Sequence, residues 1–150
     1  LENFLKNSIN KLNQNNIRLK IIGEKKFSKK LTNLIKSAEK LTKKNDTLQI
    51  NLAINYGSKL EIIRAINFLV KNKLKINEKN ISSKLFTSGI PDPDILIRTG
   101  NTKRLSNFLL WQIVYSEIFF IKKLWPEFNE KDFTKIINIF MNTKRNYGSI

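Results

Sequence analysis

Short apolar strands alternate with amphipathic helices along most of this chain, and this order restricts the folds that it can adopt. The clearest strand pattern covers residues 48–54, where Leu48, Ile50, Leu52 and Ile54 alternate with smaller or polar residues. A period of two indicates a strand with two different faces, whereas apolar residues at every third or fourth position indicate a helix. Residues 48–54 are therefore predicted to form a strand.

The same two periods assign most of the remaining chain. Helices are predicted at residues 1–12, 28–41, 58–70, 80–86, 106–114 and 129–140, and further strands at residues 17–22, 94–98 and 118–121. Strands separated by helices in this order are joined by right-handed crossovers, which leave neighbouring strands parallel. We therefore predict an α/β fold with a mostly parallel sheet flanked by helices.

Three polar residues are predicted to cap helices. Ser28, Ser58 and Asn129 each precede a helical pattern, and their side-chain oxygens can accept hydrogen bonds from the first backbone N–H groups. The helix after Ser58 is predicted to bury large aliphatic residues that recur at helical spacing: Leu60, Ile63, Ile66 and Val70. This apolar face is expected to pack against the sheet.

The composition limits the chemistry that the chain can perform. Its 150 residues include no cysteine and no histidine, so thiolate and imidazole metal sites and histidine acid–base catalysis are excluded. Any reaction must use arginine, lysine, carboxylates, hydroxyls or a metal held by oxygen ligands. No apolar run reaches the roughly 18 residues that a membrane-spanning helix requires.

The charge of the chain is strongly positive, with 28 Lys and Arg against 12 Asp and Glu, a net charge of +16. One interpretation is an anionic partner, such as a diphosphate, a nucleic acid or an acidic membrane surface. The other is a general abundance of lysine, asparagine and isoleucine, with the lysines scattered over several helix faces. A nucleic-acid module is not predicted, because the aromatic residues fall mainly on apolar faces rather than among clustered cations.

The candidate binding residues follow the strand at 94–98. Arg98 ends that strand, and Arg104 and Ser106 follow in the next loop. Ligands of open α/β sheets bind beyond the carboxyl ends of the strands, and the planar guanidinium fork suits phosphate oxygens. Glu117 is an isolated carboxylate in the apolar run that comes next. Simpler roles are a surface arginine for Arg98, a helix cap for Ser106, and contact with solvent or a lysine for Glu117.

The same region resembles a known family. The segments DPDILIRTG, RLSNFLLWQIVYSEIFF and LWPEF, together with RLKIIG at 18–23, LQINLAINYGS at 48–58 and KRNYGS at 144–149, occur in order and at the spacing of the cis-prenyltransferases. This is the undecaprenyl diphosphate synthase, or isoprenyl transferase, family. The resemblance covers most of the chain, and the long central run makes it far more specific than a short motif.

The resemblance implies a reaction and a set of binding residues. Members condense isopentenyl diphosphate with an allylic diphosphate to form a cis-polyprenyl diphosphate, the precursor of a cell-wall lipid carrier. It implies that Arg98, Arg104 and Ser106 bind the diphosphate of isopentenyl diphosphate, with the backbone N–H of Leu105 contributing. It also implies that Glu117 is a ligand of Mg²⁺. A homodimer in the cytoplasm, with peripheral membrane contact for the lipid product, follows from the same resemblance.

Two features depart from the family pattern. The family's Asp-Gly-Asn-Gly-Arg loop, which holds the allylic diphosphate and the essential acid, does not occur in this sequence. Residues 1–150 are therefore expected to be the C-terminal portion of a single isoprenyl transferase domain. They would lack its N-terminal strands and its catalytic residue, and would be inactive by themselves. The alternative is a non-catalytic partner subunit of a cis-prenyltransferase, since some members without the loop have that role.

The C-terminal tail is the second departure. The family often ends in an Arg-x-Gly segment that reaches across the dimer, and here Asn146 stands where that arginine would be. Arg145 lies one position earlier and is the available substitute. The sequence therefore leaves the role of Arg145 open.

Overall fold

The computed structural model describes residues 2–145, and for Phe4 and Lys6 it describes the backbone alone. The chain divides into two compact units, Leu1–Ser88 and Gly89–Ile150. Each unit contains one two-stranded parallel sheet with helices. The predicted α/β class with parallel strands flanked by helices is confirmed, and within residues 2–145 the strand pairing is confined to these two short sheets.

The first unit contains four helices and two strands. They are α1 (Glu2–Gln14), β1 (Ile17–Ile22), α2 (Lys29–Leu41), β2 (Leu48–Ala53), α3 (Ser58–Lys71) and α4 (Glu78–Ser82). β1 pairs with β2 in parallel, from Ile17 opposite Leu48 to Ile22 opposite Ala53. The core beside this sheet consists of buried aliphatic residues from α1, β1 and α2: Leu5, Leu19, Ile21, Ile35 and Ala38.

Most predicted boundaries in this unit agree with the structure. The strand predicted at 17–22 is β1, and Ser28 caps α2 by accepting a hydrogen bond from the Leu31 N–H at 3.2 Å. The short helix predicted at 80–86 instead spans Glu78–Ser82, and it is capped by Asn77, whose side chain accepts from the Asn80 N–H at 2.8 Å. Leu1, the first residue of the first predicted helix, lies outside the described residues.

A glycine is required at position 23 because the backbone that follows β1 lies very close to the backbone that follows β2. The φ of Gly23 is +114°, and an added Cβ would lie 2.2 Å from the Ile54 carbonyl oxygen. The Ile54 N–H donates to the Ile22 carbonyl at 3.0 Å, and the Glu24 N–H donates to the Asn55 carbonyl at 3.1 Å. Any side chain here would therefore break the last parallel hydrogen bonds of this sheet.

The buried face of α3 differs from the predicted one. Leu60, Ile63 and Val70 are 50%, 55% and 59% exposed, so the prediction that they are buried was wrong. The buried residues are instead Ser58, Glu61, Ala65 and Leu69. Counting apolar residues missed this face because it contains a serine and a glutamate. The predicted cap was also wrong, since Gly57 is the N-cap of α3 and Ser58 is its first helical residue.

Glu61 is the charged residue on the buried face of α3, and its hydrogen bonds explain why it can be buried there. Its side chain is 1% exposed, and its two carboxylate oxygens accept hydrogen bonds from the Tyr56 hydroxyl and the Phe86 N–H, both at 2.5 Å. The Tyr56 ring meets the Phe86 ring edge to face, with centroids 6.3 Å apart. A buried carboxylate is tolerated when donors satisfy it, and Glu61 thereby joins the segment after β2 to the segment after α4.

Replacing Glu61 by alanine is expected to lower the free energy of unfolding of the whole protein by about 3 kcal/mol, because a buried side chain is removed and two half-buried donors lose their acceptor. Glu61→Gln keeps one acceptor oxygen and is expected to cost less. Urea unfolding would measure both changes. Asp92→Ala, at an exposed loop position, is the control and is expected to remain within about 0.5 kcal/mol of wild type. Equal stability of Glu61→Ala and wild type would contradict this role.

The second unit contains two strands and two helical segments. They are β3 (Ile95–Arg98), β4 (Glu117–Phe120), a 3₁₀ turn (Trp125–Glu127) and α5 (Glu130–Met141).

The cap predicted for α5 is confirmed, with Asn129 accepting from the Asp132 N–H at 3.3 Å and Asp132 accepting from the Asn129 N–H at 3.1 Å. The Lys123 ammonium, 2.8 Å from the Asp132 carboxylate, and the Asn129 N–H lower the pKa of that carboxyl.

The helix predicted at 106–114 is absent from the structure over the described residues. Consecutive turns replace it, and Ser106, Asn107 and Leu109 have φ values of +50°, +61° and +47°. Positive φ is incompatible with a right-handed helix, so Ser106 does not cap one. Apolar spacing alone cannot distinguish consecutive turns from a helix, which is why the sequence indicated the wrong local structure.

Candidate functional site

The loop after β3 is fixed by backbone hydrogen bonds to the chain that leaves β4. The Ile121 N–H donates to the Arg98 carbonyl at 2.8 Å, which extends the parallel pairing by one residue. The Gly100 N–H donates to the Lys123 carbonyl at 2.8 Å, and the Asn101 N–H donates to the Ile121 carbonyl at 3.1 Å. The backbone at the carboxyl end of this sheet is therefore held in one conformation, and this is the end at which α/β folds bind ligands.

Arg98 stands at this end of the sheet with its side chain held in place. It is the last residue of β3 and is half-buried, and its Nε donates to the Thr102 hydroxyl at 3.1 Å. Within residues 2–145, its two Nη groups form no hydrogen bond or ion pair. A half-buried guanidinium with one fixed nitrogen and two available ones is suited to phosphate oxygens.

Arg104, Leu105 and Ser106 follow in the same loop. Arg104 and Ser106 are exposed, and Arg104 forms no ion pair in the part of the chain that the structure describes. Ser106 lies in the left-handed region, and the next residue does so as well. The Phe108 N–H donates to the Leu105 carbonyl at 3.1 Å, which closes a turn over these two residues, and unfavourable φ values concentrate at functional sites. The sequence missed this backbone feature, because it placed a helix here.

Glu117 lies at the opposite end of the same sheet. It is the first residue of β4 and pairs with Ile95, whereas Arg98 pairs with Phe120. Three residues of strand separate the two positions by about 10 Å, and alternation places their side chains on opposite faces. The structure therefore brings Arg98, Thr102 and the following loop together, and it does not bring Glu117 beside Arg98.

The surroundings of Glu117 fit one ligand of a hard cation. Its carboxylate is half-buried and forms no ion pair among the described residues. No group of three or more Asp, Glu, His or Cys that could hold a metal occurs within residues 2–145. Mg²⁺ commonly binds one or two protein carboxylates together with substrate phosphates and water. Glu117 alone therefore fits Mg²⁺ only as one contribution to a site that a diphosphate completes.

Arg145, whose role the sequence left open, contacts its own chain. One Nη lies 2.6 Å from the Asp94 carboxylate, and the other donates to the Tyr115 carbonyl at 3.1 Å. The guanidinium carbon is 5.2 Å from the centre of the Phe140 ring. Asn146, Tyr147 and Gly148 of the tail motif lie outside the described residues. No sequence pattern indicates these contacts, since Asp94 and Arg145 are 51 residues apart.

The comparisons with known proteins identify the class to which this fold and site belong. The family model described as "Putative undecaprenyl diphosphate synthase" matches residues 1–148. The chain therefore belongs to the undecaprenyl diphosphate synthase family, the cis-prenyltransferases, and the predicted family is confirmed. Over the described residues, none of the helices has the length and apolar character needed to cross a membrane.

Curated relatives agree with this assignment. The chain is 46% identical over 154 residues to the ditrans,polycis-undecaprenyl-diphosphate synthase ((2E,6E)-farnesyl-diphosphate specific) of Buchnera aphidicola subsp. Schizaphis graminum, covering 97% of this chain and 62% of that protein. It is 44% identical over 145 residues to the isoprenyl transferase of Oceanobacillus iheyensis, covering 91% of this chain and 58% of that protein. The chain thus spans roughly three-fifths of the length of these relatives.

Solved structures show the same fold. A probable undecaprenyl diphosphate synthase from Campylobacter jejuni superposes with a TM-score of 0.89 at 41% identity, covering 97% of this chain and 69% of that one. Lavandulyl diphosphate synthase from Lavandula x intermedia, in complex with dimethylallyl diphosphate, superposes with a TM-score of 0.90 at 32% identity, covering 99% of this chain and 68% of that one.

Proposed function

We propose that this chain acts within an isoprenyl transferase that condenses isopentenyl diphosphate with an allylic diphosphate to form a cis-polyprenyl diphosphate. The observation that carries the proposal is Arg98, held by Thr102 at the carboxyl end of β3 and followed by Arg104 and Ser106. Residues 1–150 then correspond to the C-terminal portion of one isoprenyl transferase domain. The product, a cell-wall lipid carrier precursor, is proposed on family membership.

In this proposal the isopentenyl substrate is bound by four residues at the end of β3 and in the loop after it, which we call the diphosphate clamp: Arg98, Arg104, Leu105 and Ser106. The two guanidinium groups neutralise the diphosphate, while the Ser106 hydroxyl and the Leu105 N–H donate hydrogen bonds to its oxygens. During the reaction an allylic carbon–oxygen bond breaks, a carbon–carbon bond forms to the isopentenyl group, and a proton is lost. The clamp orients the isopentenyl group for that step.

Glu117 is proposed as a ligand of Mg²⁺. When bound, the metal ion would neutralise diphosphate charge that builds up as the carbon–oxygen bond breaks. Glu117 and Arg98 lie on opposite faces of one sheet, so they do not face one ligand within a single chain. Glu117 is therefore proposed to reach the diphosphate from a second copy, in the homodimer that the resemblance implies. A cytoplasmic enzyme with peripheral membrane contact is proposed on the same grounds.

The direct test of the function uses the whole protein with radiolabelled isopentenyl diphosphate, an allylic diphosphate and Mg²⁺. The expected result is a cis-polyprenyl diphosphate, identified by extraction and by NMR of its double bonds. Residues 1–150 alone are expected to form no product, because the carboxylate and loop that the family uses for the allylic substrate are not among them. Failure of the whole protein to form product, with stimulation of another cis-prenyltransferase, would assign the partner-subunit role instead.

A further inference from the structure

Three separate chain segments are hydrogen-bonded to one another at the amino end of the β3–β4 sheet. The Ser116 hydroxyl donates to the Pro93 carbonyl at 2.5 Å, and the Glu117 N–H donates to the Asp94 carbonyl at 2.9 Å. Arg145 adds the third segment through its bonds to the Asp94 carboxylate and the Tyr115 carbonyl. Hydrogen bonds from the segment before β3 and from Arg145 therefore hold the chain on both sides of Ser116.

Arg145 adds a side-chain bridge between the other two segments, which the Ser116 and Glu117 hydrogen bonds already join. Its guanidinium contacts an acid from one segment with one Nη and a backbone carbonyl from the other with the second Nη. Its side chain is 19% exposed, whereas the Asp94 side chain is 65% exposed. An ion pair with such an exposed acid contributes little on its own, so the specific contribution is the planar fork that reaches two partners.

One of these bonds is made by the Glu117 backbone, and the two bonds of Arg145 lie beside it. Asp94 is held at its carboxylate by Arg145 and at its carbonyl by the Glu117 N–H, and the carbonyl of Tyr115, two residues before Glu117, is held by Arg145. We propose that Arg145 is a positioning residue for Glu117. It keeps the start of β4 in place, so that the Glu117 carboxylate is presented in one orientation for a metal–diphosphate complex. This inference rests on the proposed metal-binding role of Glu117.

The proposal separates Arg145 from the diphosphate clamp. Both of its Nη groups are engaged at the amino end of the sheet, whereas Arg98 lies at the carboxyl end. Replacing Arg145 is therefore expected to change the Mg²⁺ concentration that the enzyme requires rather than its affinity for isopentenyl diphosphate. Lysine cannot reproduce the two-partner contact, because its ammonium is a single point charge.

The test compares Arg145→Ala, Arg145→Lys and the matched control Lys144→Ala in the whole protein. Lys144 is the neighbouring exposed cation. Without Mg²⁺ or substrates, hydrogen exchange of the peptide covering residues 115–118 is expected to be about tenfold faster in Arg145→Ala, because local opening becomes easier. Arg145→Lys is expected to fall between Arg145→Ala and wild type, and Lys144→Ala to match wild type.

The same variants are then assayed for the Mg²⁺ concentration that gives half-maximal activity. Arg145→Ala is expected to raise it about tenfold, with the KM for isopentenyl diphosphate changed less than about twofold, as for an outer group that orients a metal ligand. Unchanged hydrogen exchange would overturn the inference. So would faster exchange without a change in Mg²⁺ requirement, which would leave Arg145 a purely structural role.

Two further variants keep these outcomes distinct. Asp94→Asn removes the charge that Arg145 contacts while retaining the backbone carbonyl, and it is expected to speed exchange less than Arg145→Ala, because the bond from Arg145 to the Tyr115 carbonyl remains. If Arg145→Ala does not fold, Arg145→Lys takes its place in both measurements. Glu117→Gln tests the proposed function separately. If Glu117→Gln leaves the Mg²⁺ requirement unchanged, the metal-binding role of Glu117 fails, whatever Arg145→Ala does to the exchange rates.

Discussion

Replacing Arg98 by alanine in the whole protein is expected to lower kcat/KM for isopentenyl diphosphate by about 100-fold or more. A preorganised charged donor to a developing or bound oxyanion typically contributes a factor of about 100 to 1,000. Arg98 is preorganised in this sense, because the Thr102 hydroxyl holds its Nε and the strand holds its backbone. Steady-state kinetics at saturating allylic diphosphate would measure the change.

The series around Arg98 distinguishes binding geometry from charge. Arg98→Lys keeps the charge but loses the fork and the bond to Thr102, so its activity is expected to lie between Arg98→Ala and wild type. Arg104→Ala is expected to be impaired for the same isopentenyl substrate. Lys103→Ala removes the neighbouring exposed cation and is the matched control, expected to change kcat/KM less than about twofold. Wild-type kinetics for both Arg98→Ala and Arg104→Ala would rule out the diphosphate clamp.

Glu117→Gln is expected to raise the Mg²⁺ concentration needed for half-maximal activity by about 100-fold, because the amide keeps the shape but loses the charge of the ligand. Equilibrium titration of the whole protein with Mg²⁺ in the presence of isopentenyl diphosphate would measure the corresponding loss of Mg²⁺ affinity without turnover. Glu130→Gln is the control, since Glu130 is an exposed carboxylate at the start of α5. A Glu117→Gln protein with the Mg²⁺ titration of wild type would exclude Glu117 as a ligand.

Mixing inactive variants would show which copy supplies Glu117. If Glu117 serves the clamp of a second copy, a heterodimer of Arg98→Ala and Glu117→Gln contains one intact site and one doubly impaired site. Random exchange between equal amounts would then restore about a quarter of wild-type turnover. If Glu117 and Arg98 act within one chain, every site in the mixture is impaired and activity is not restored. The opposite faces found for the two residues favour the first result.

Most elements that the sequence predicted correctly depend on local chemistry. The strand at 17–22, the Ser28 cap and the Asn129–Asp132 capping box are each determined by residues within a few positions of one another. The position of Arg98 at the end of β3 also follows from such a short pattern. In each case neighbouring side chains and backbone groups satisfy one another, so no distant contact is needed for the prediction.

The wrong predictions have a different origin. Glu61 is buried because Tyr56 and Phe86 donate to it, and Phe86 is 25 residues away in sequence. The turns around Ser106 and Leu109 adopt left-handed conformations that no apolar periodicity reveals. Here the contacts that compensate for an unfavourable residue or backbone angle come from elsewhere in the fold, so the pattern alone indicated a different answer.

By itself, the sequence determined the α/β class and the family, and it predicted the residues of the proposed diphosphate clamp, because these depend on short patterns and motifs. Only the tertiary structure decided that Glu117 lies at the far end of the sheet from Arg98, and that Arg145 joins Asp94 to the Tyr115 carbonyl. The physical reason is register. Which residues of two strands lie opposite one another, and which distant side chain reaches them, depends on how the chain packs and on no single segment of it.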